Sequence, residues 1–361
     1  MPERIFQTPY RLILLLPLIT IAACAPTSPQ QVFMTQTPLV VAQLNTPDSP
    51  LVIPTNAPQI VAQALTRTPG PILMVTSSSN MSASATLEIP SLSPEDVQPL
   101  PTADESGVIV TNRVREIFQK GQEMGNDPHV FIKVGDSTTE QQAFMIGFGT
   151  GEYNLGSYTD LQASIDYFSH DAFTRDSLAS ESAFNSASVL DSFRVPDEGK
   201  AICQLGEKPL ECEIRVMKPA FAFILFGGNE VRSSDMGLDV YSNQIQQLID
   251  LTTSQGVIPI LTTFPHAPNF HENAAAYNEA LRSIAADQRI PLIDLETAVL
   301  TLPNGGVSEE DGFHMTMRGI RGDITDNGIM LNGEEKQYGA TLRNLLTLQM
   351  LDTLRRELGM N

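Results

Sequence analysis

Residues 218–230 read KPAFAFILFGGNE. From Ala220 to Phe226 every side chain is apolar, without alternation. A strand with one wet face alternates apolar and polar residues, because successive side chains point to opposite faces. A run that does not alternate must be covered on both faces, the condition of a central strand in a parallel sheet. It is also far too short to span a bilayer. Parallel neighbours cannot be joined by a tight hairpin, so crossovers, usually helices, must separate the strands. This segment alone therefore predicts a sheet covered by helices.

The rest of the C-terminal portion agrees. VIVTNRVREIFQKGQEMG has Val110, Val114, Ile117 and Phe118 at helical spacing. HVFIKVG, VIPILTTFP and IPLIDLE read as short buried strands. Between and after them, VYSNQIQQLIDLTTSQG, HENAAAYNEALRSIAADQR and YGATLRNLLTLQMLDTLRREL read as helices, the first ending near Gly256. Strands alternating with helices predict a three-layer α/β domain with a parallel sheet over residues 106–361. The stretch 140–215 breaks the pattern and is expected to loop over the functional edge of the sheet.

The N-terminal portion is of another kind. Arg4 and Arg11 precede LILLLPLITIAAC, an apolar run too short to span but suited to a signal peptide over residues 1–23. Its end, Ile21-Ala22-Ala23-Cys24, resembles the bacterial lipobox. That resemblance implies cleavage before Cys24, a diacylglycerol thioether on its sulfur and an acylated amino group, hence a firm membrane anchor. The alternative is an ordinary secretory signal with Cys24 merely near the cut. Residues 24–105 follow as a linker, with 13 of the 25 prolines and Phe33 as the single aromatic residue. Such a segment cannot bury enough apolar surface to fold, and is expected to be an extended, disordered stalk. The net charge of −20 argues against a nucleic-acid partner, since phosphate binding needs clustered Lys and Arg. The two other cysteines, Cys203 and Cys212, read as a possible disulfide in an exported protein, or as two free thiols. No Cys or His cluster surrounds them, so no metal site is expected, and no cofactor.

In an open parallel sheet, function sits beyond the carboxyl ends of the strands. Three polar groups fall there: Gly135-Asp136-Ser137, Gly227-Gly228-Asn229-Glu230 and Asp311-Gly312-Phe313-His314. A serine hydroxyl needs an adjacent imidazole to take its proton, and the imidazole needs a partner that fixes its tautomer. Asp311, three residues before His314, can reach its Nδ1 from a tight turn. An oxyanion needs preorganised donors. The backbone N–H of Ser137, the Asn229 amide and the Gly228 region are the candidates.

These motifs, in this order, resemble the blocks of the SGNH/GDSL hydrolase superfamily over about residues 105–360. The first block matches Gly135, Asp136 and Ser137, the third Gly227 to Glu230, and the fifth Asp311 and His314. The resemblance implies a flavodoxin-like α/β/α domain and metal-free ester hydrolysis. In it Ser137 is the nucleophile, His314 the base, Asp311 its orienter and Asn229 an oxyanion donor. One departure stands out. The second block normally supplies an oxyanion-hole glycine, and FTRDSLASESAFNSASVLDS, at the expected place, contains none. Ser177 or a neighbour is the candidate replacement through its main chain.

The remaining polar residues have plainer expectations. Asp136 is expected to fix the turn after its strand, and Arg343 and Asn344 to pack or pair. His129 precedes its strand, at the wrong end; His170 has no motif beside it. His266 and His271, in FPHAPNFHE, follow a strand on the functional edge and are candidates for a pocket lining. Together the residues predict a membrane-anchored extracytoplasmic serine esterase for small-molecule, lipid or glycan esters. The alternatives are an O-acyltransferase on cell-surface glycans using the same residues, and a weakly active binding protein of the same fold.

Overall fold

A computed structural model describes residues 109–140, 144–233, 236–318 and 328–360. The expected signal segment, Cys24 and the 24–105 linker lie outside the described residues. Four parallel strands form the main sheet: β1 (Asp127–Gly135), β2 (Pro219–Leu225), β3 (Ile258–Thr262) and β4 (Leu292–Ile293). They lie side by side in chain order, with Gly135 opposite Leu225, Ile224 opposite Leu261, and Leu261 opposite Leu292. All seven residues of β2 are buried, as the unbroken apolar run requires.

Beyond the outer side of β1 the sheet has a vestigial fifth place. Gly135 makes an isolated parallel bridge with Ser180, and its N–H donates to Ala179 O at 3.1 Å. From β1 the chain therefore goes first to one side, to Ser180, and then to the other, to β2. That is the switch point of a doubly wound sheet, where a crevice opens above the strand ends. Ser137 stands directly above it.

The helices form where the periodicity places them. Helix Asn112–Glu123 begins on Thr111, whose hydroxyl oxygen accepts from Val114 N at 3.2 Å while its own proton goes to Arg289 O at 2.8 Å. Helix Leu238–Ser254 ends just before Gly256, and helix Ala274–Gln288 returns the chain to β4. The final helix, Gly339–Glu357, is buried along most of its length, including Arg343 and Asn344. The segment IPLIDLE divides: only Leu292–Ile293 is strand, and Asp294 then caps a short helix, Leu295–Val299. Pro259 sits inside β3 without penalty. Leu261 and Thr263 donate toward β4, and Pro259 shares that side before β4 begins, so no partner awaits its missing N–H.

Residues 144–217 are mostly short helical turns, with one two-residue strand, Tyr153–Asn154, paired with Ile329–Met330. The sulfurs of Cys203 and Cys212 are joined in a disulfide that ties a surface loop to helix Pro209–Met217. Replacing Thr111 by Ala removes one cap and one inter-segment bond. The domain should lose about 1–2 kcal/mol of unfolding free energy in urea titrations, with m unchanged.

Candidate active site

β1 ends on Gly135, and the next residue builds the turn. Thr138 donates to Asp136 Oδ1 with both its N–H, at 2.9 Å, and its hydroxyl, at 2.8 Å. Asp136 is fully buried, and burial pushes its pKa up against those two hydrogen bonds. It shapes the turn and does not reach solvent. From the last helix, Arg343 donates to Thr138 O at 2.8 Å and to Thr139 Oγ1 at 3.0 Å. Its guanidinium lies 3.7 Å from the centre of the Phe144 ring. Burial pulls the Arg343 pKa down to about 9, with Asp136 opposing. Asn344 accepts from Met145 N at 2.9 Å. Arg343 therefore supports the turn that presents Ser137, whose own side chain is left half-exposed, and Asn344 holds the chain at Met145.

Over that serine the C-terminal loop places His314. Ser137 Oγ is 2.8 Å from His314 Nε2, and His314 Nδ1 is 2.7 Å from Asp311 Oδ2. A carboxylate only accepts, so Nδ1 carries the proton and the Nε2 lone pair faces the hydroxyl. Asp311 Oδ1 accepts from the N–H of Phe313 and of His314, each at 3.0 Å. Burial raises the Asp311 pKa, but these two backbone bonds and the imidazole outweigh it and bring it down to about 2.

The turn after β2 is set by close contacts. Gly227 has φ +140°, and a Cβ on it would lie 2.1 Å from the Phe264 ring. A Cβ on Gly228 would lie 1.8 Å from the Phe313 ring. Only glycine fits at either place. Gly228 thus serves to seat Phe313, the residue beside His314. Glu230 Oε2 accepts from Gly227 N at 2.8 Å and its Oε1 from Ser186 N at 2.7 Å. Burial raises the Glu230 pKa to about 7. Asn229 donates one amide proton to Phe184 O at 2.8 Å, which leaves the other free to point into the crevice.

The glycine-free second segment makes its turn with an alanine. Phe184 N donates to Glu181 O at 3.1 Å, and Ala183 within that turn has φ +64°. Ser182 Oγ bonds Glu140, the last residue of the helix that Ser137 begins. Ser177 shapes the start of this segment: its hydroxyl oxygen accepts from Ala179 N and its carbonyl from Ser180 N, both at 3.1 Å, contacts that do not involve its own N–H. A search for glycine passes over Ala183. Its only sequence signal is its place in SESAFN, one residue before the carbonyl that Asn229 holds.

The histidines separate clearly. His129 stacks on Tyr167 at the amino end of β1, and His170 is exposed beside Asp171 and Thr174. His271 accepts from Asn273 N at the start of its helix. His266 bonds Glu296 and Ala267 O, with its ring mostly buried.

A hydroxyl, an imidazole and a carboxylate in one hydrogen-bonded line, above the switch point of a doubly wound sheet, define a serine hydrolase of the α/β class. The GDSL-like Lipase/Acylhydrolase family model matches residues 134–321, and the chain belongs to that family of ester hydrolases. No curated protein matches the sequence. Among solved structures it is similar to a putative G-D-S-L lipolytic protein from Desulfitobacterium hafniense, with 13% identity over 62% of this chain and 99% of that one, at a TM-score of 0.38. An acetylxylan esterase from Geobacillus stearothermophilus matches with 15% identity over 63% and 95%, TM-score 0.38. A lipase/acylhydrolase from Enterococcus faecalis matches with 15% identity over 61% and 94%, TM-score 0.38.

Two outcomes follow from this geometry. Gly228→Ala should displace Phe313 and with it His314, lowering kcat for ester hydrolysis about a hundredfold while the far-ultraviolet circular dichroism is retained. Asp311 has a depressed pKa when folded, so its stabilisation is present above 3.8 and is lost as pH falls toward about 2. Thermal unfolding of Asp311→Asn should lack that acid-range decline.

Proposed function

We propose that the protein is an extracytoplasmic serine esterase, anchored through Cys24, that cleaves carboxylic esters by way of an acyl-enzyme on Ser137. The observation that carries this reading is the unbroken line from Ser137 Oγ through His314 to Asp311. His314 Nε2 takes the hydroxyl proton as Oγ attacks the ester carbon. The resulting imidazolium is stabilised by Asp311 and returns the proton to the alcohol oxygen as it leaves. Water then enters, gives its proton to His314 and attacks the acyl carbon. Ser137 departs with that proton, and the acid is released.

The oxyanion is assigned three donors: the Ser137 N–H, the second Asn229 amide proton and the Ala183 N–H. Ala183 is favoured because no described contact uses its N–H and because its left-handed backbone reproduces what a glycine would supply. Two anchors hold it near Ser137, namely Asn229 on Phe184 and Ser182 on Glu140.

The surroundings favour neutral esters. Burial first, then the carboxylates of Glu140, Glu198 and Asp197, raise the pKa of Glu181, while Arg194 opposes. A loop so rich in carboxylates beside Ser137 repels phosphate-bearing substrates. O-acylated glycans and uncharged lipid esters therefore fit better than anionic phospholipids. The disulfide agrees with an oxidising compartment, and the lipobox-like Ile21-Ala22-Ala23-Cys24 with a membrane anchor.

A panel of p-nitrophenyl esters tests the chemistry. Ser137→Ala should abolish turnover and fluorophosphonate labelling; a wild type that does neither would refute the reading. Ala183→Pro, which removes the N–H, should lower kcat about a hundredfold, while Ala183→Gly should stay near wild type. Mass spectrometry of the mature N-terminus should show a lipidated Cys24.

A further inference from the structure

His266 lies outside the relay, at the end of β3, and both its ring nitrogens face acceptors. Nδ1 is 2.9 Å from Ala267 O, and Nε2 is 2.8 Å from Glu296 Oε1. Neither a carbonyl nor an ionised carboxylate can donate. A neutral imidazole has one bare lone pair, which would be aimed at one of these oxygens. Only the doubly protonated ring satisfies both contacts.

What the ring holds is part of the catalytic loop. Ala267 N donates to Gly312 O at 2.7 Å, so Ala267 is held by His266 at its carbonyl and by Gly312 at its amide. Gly312 lies between Asp311 and Phe313. Packing repeats the connection: a Cβ on Gly312 would come within 3.0 Å of Ala267 Cβ. Phe270, tilted against His266 at 6.3 Å between ring centres, stacks on Phe313 at 5.6 Å.

We propose that His266 is a positioning residue: an imidazolium at neutral pH that clamps Ala267, and through it Gly312, keeping Asp311 and His314 aligned on Ser137. The inference rests on the esterase reading for its kinetic consequence, but not for the protonation state. Among the described residues, the charged groups around the ring form one connected set. Glu296 faces it from helix Leu295–Val299. Arg282, from helix Ala274–Gln288, binds Glu296 Oε2 at 2.6 Å and Asp294, at the end of β4, at 2.7 Å; Glu279 meets Arg282 at 3.5 Å from the same helix. Phe264 and Phe270 lie against the ring at 5.9 and 6.3 Å between ring centres.

The sign of the pH effect follows. Above all the Glu296 hydrogen bond, against the effect of burial, raises the His266 pKa from 6.5. A raised folded pKa means that the clamp is complete below the ordinary value and is lost as pH rises through the folded one. Catalytic efficiency should therefore fall on the alkaline side for a reason separate from the relay.

Nitrogen-15 NMR of the full domain tests the charge, and ester kinetics test the positioning. The expected result is that both His266 ring nitrogens carry protons at pH 7. Glu296→Gln should move that titration to lower pH and shift the alkaline fall in kcat/KM with it. His266→Gln should lower kcat about tenfold with KM little changed, and should abolish the alkaline fall. His266→Arg, which keeps a cation, should recover part of the loss. A neutral His266 at pH 7, or a His266→Gln enzyme with wild-type kcat and pH profile, overturns the proposal. Failure of the esterase reading shows itself differently, as a wild type that neither turns over esters nor reacts with fluorophosphonate, and the NMR result still decides the charge.

Discussion

The alignment of the site starts from one contact, the Phe313 ring against Gly228. His314 and Ser137 are 177 residues apart in the chain, and the 2.8 Å between them must be set by something stiffer than a loop. Phe313 is completely buried and fills the space where any side chain on Gly228 would lie. Its ring also meets His314 edge-on at 5.0 Å between ring centres. Interiors are packed densely enough that such a ring has one position. The central strand thereby fixes the imidazole, and the catalytic loop inherits its precision from the sheet.

The carboxyl edge of that sheet shows a repeated solution to one electrostatic problem. Where a parallel strand ends and a helix begins, several backbone N–H groups lose their partners. Here an acidic side chain takes them up after three of the four strands, while after β3 the Asn278 amide oxygen accepts from Phe264 N at 3.0 Å. Asp136 serves Thr138 after β1, Glu230 serves Gly227 after β2, and Asp294 serves Thr297 after β4. The burial is costly, and it raises the pKa of Asp136 and of Glu230. Asp294 differs because Arg282 binds it: burial pushes its pKa up, but the guanidinium and Thr297 carry it below the ordinary value. The motif letters beside the serine and the asparagine are thus largely structural acids, whose work is to shape the turns that carry Ser137 and Asn229.

Most of the architecture was legible because burial on both faces leaves an unmistakable pattern. KPAFAFILFGG, VIPILTTFP and the long helices needed no tertiary information. IPLIDLE reads as a longer strand than it is, because Leu295 continues the apolar alternation past Asp294 while the backbone has already turned into a helix. The relay was legible from its motifs, Gly135-Asp136-Ser137 directly after β1 and Asp311–His314 in the loop beyond helix Leu295–Val299, with Gly227–Glu230 after β2 beside them. The support beneath it was not. That Arg343 holds the nucleophile turn, or that His266 is charged, depends on contacts across 205 and 30 residues of sequence, and no local period records them. Ala183 was illegible for another reason. Residue type usually reports a left-handed backbone through glycine, and here the surroundings impose it on alanine.

That imposition bears on the oxyanion role proposed for Ala183. A left-handed alanine costs roughly 1–2 kcal/mol, and the cost must be met by the contacts that hold it. They are visible: the Glu181–Phe184 turn, Asn229 on the Phe184 carbonyl, Glu230 on Ser186 and Ser182 on Glu140. Two of these, Asn229 and Glu230, belong to the turn after β2 that also seats Phe313. The same turn therefore sets the imidazole on one side and the second segment on the other. An alanine has fewer unfolded conformations to lose than a glycine, so part of the strain is returned as lower chain entropy. A glycine at this position would be comfortable in many conformations. The alanine is confined to the one that its neighbours enforce, which suits the donor role proposed for it, since such a donor must be in place before charge develops.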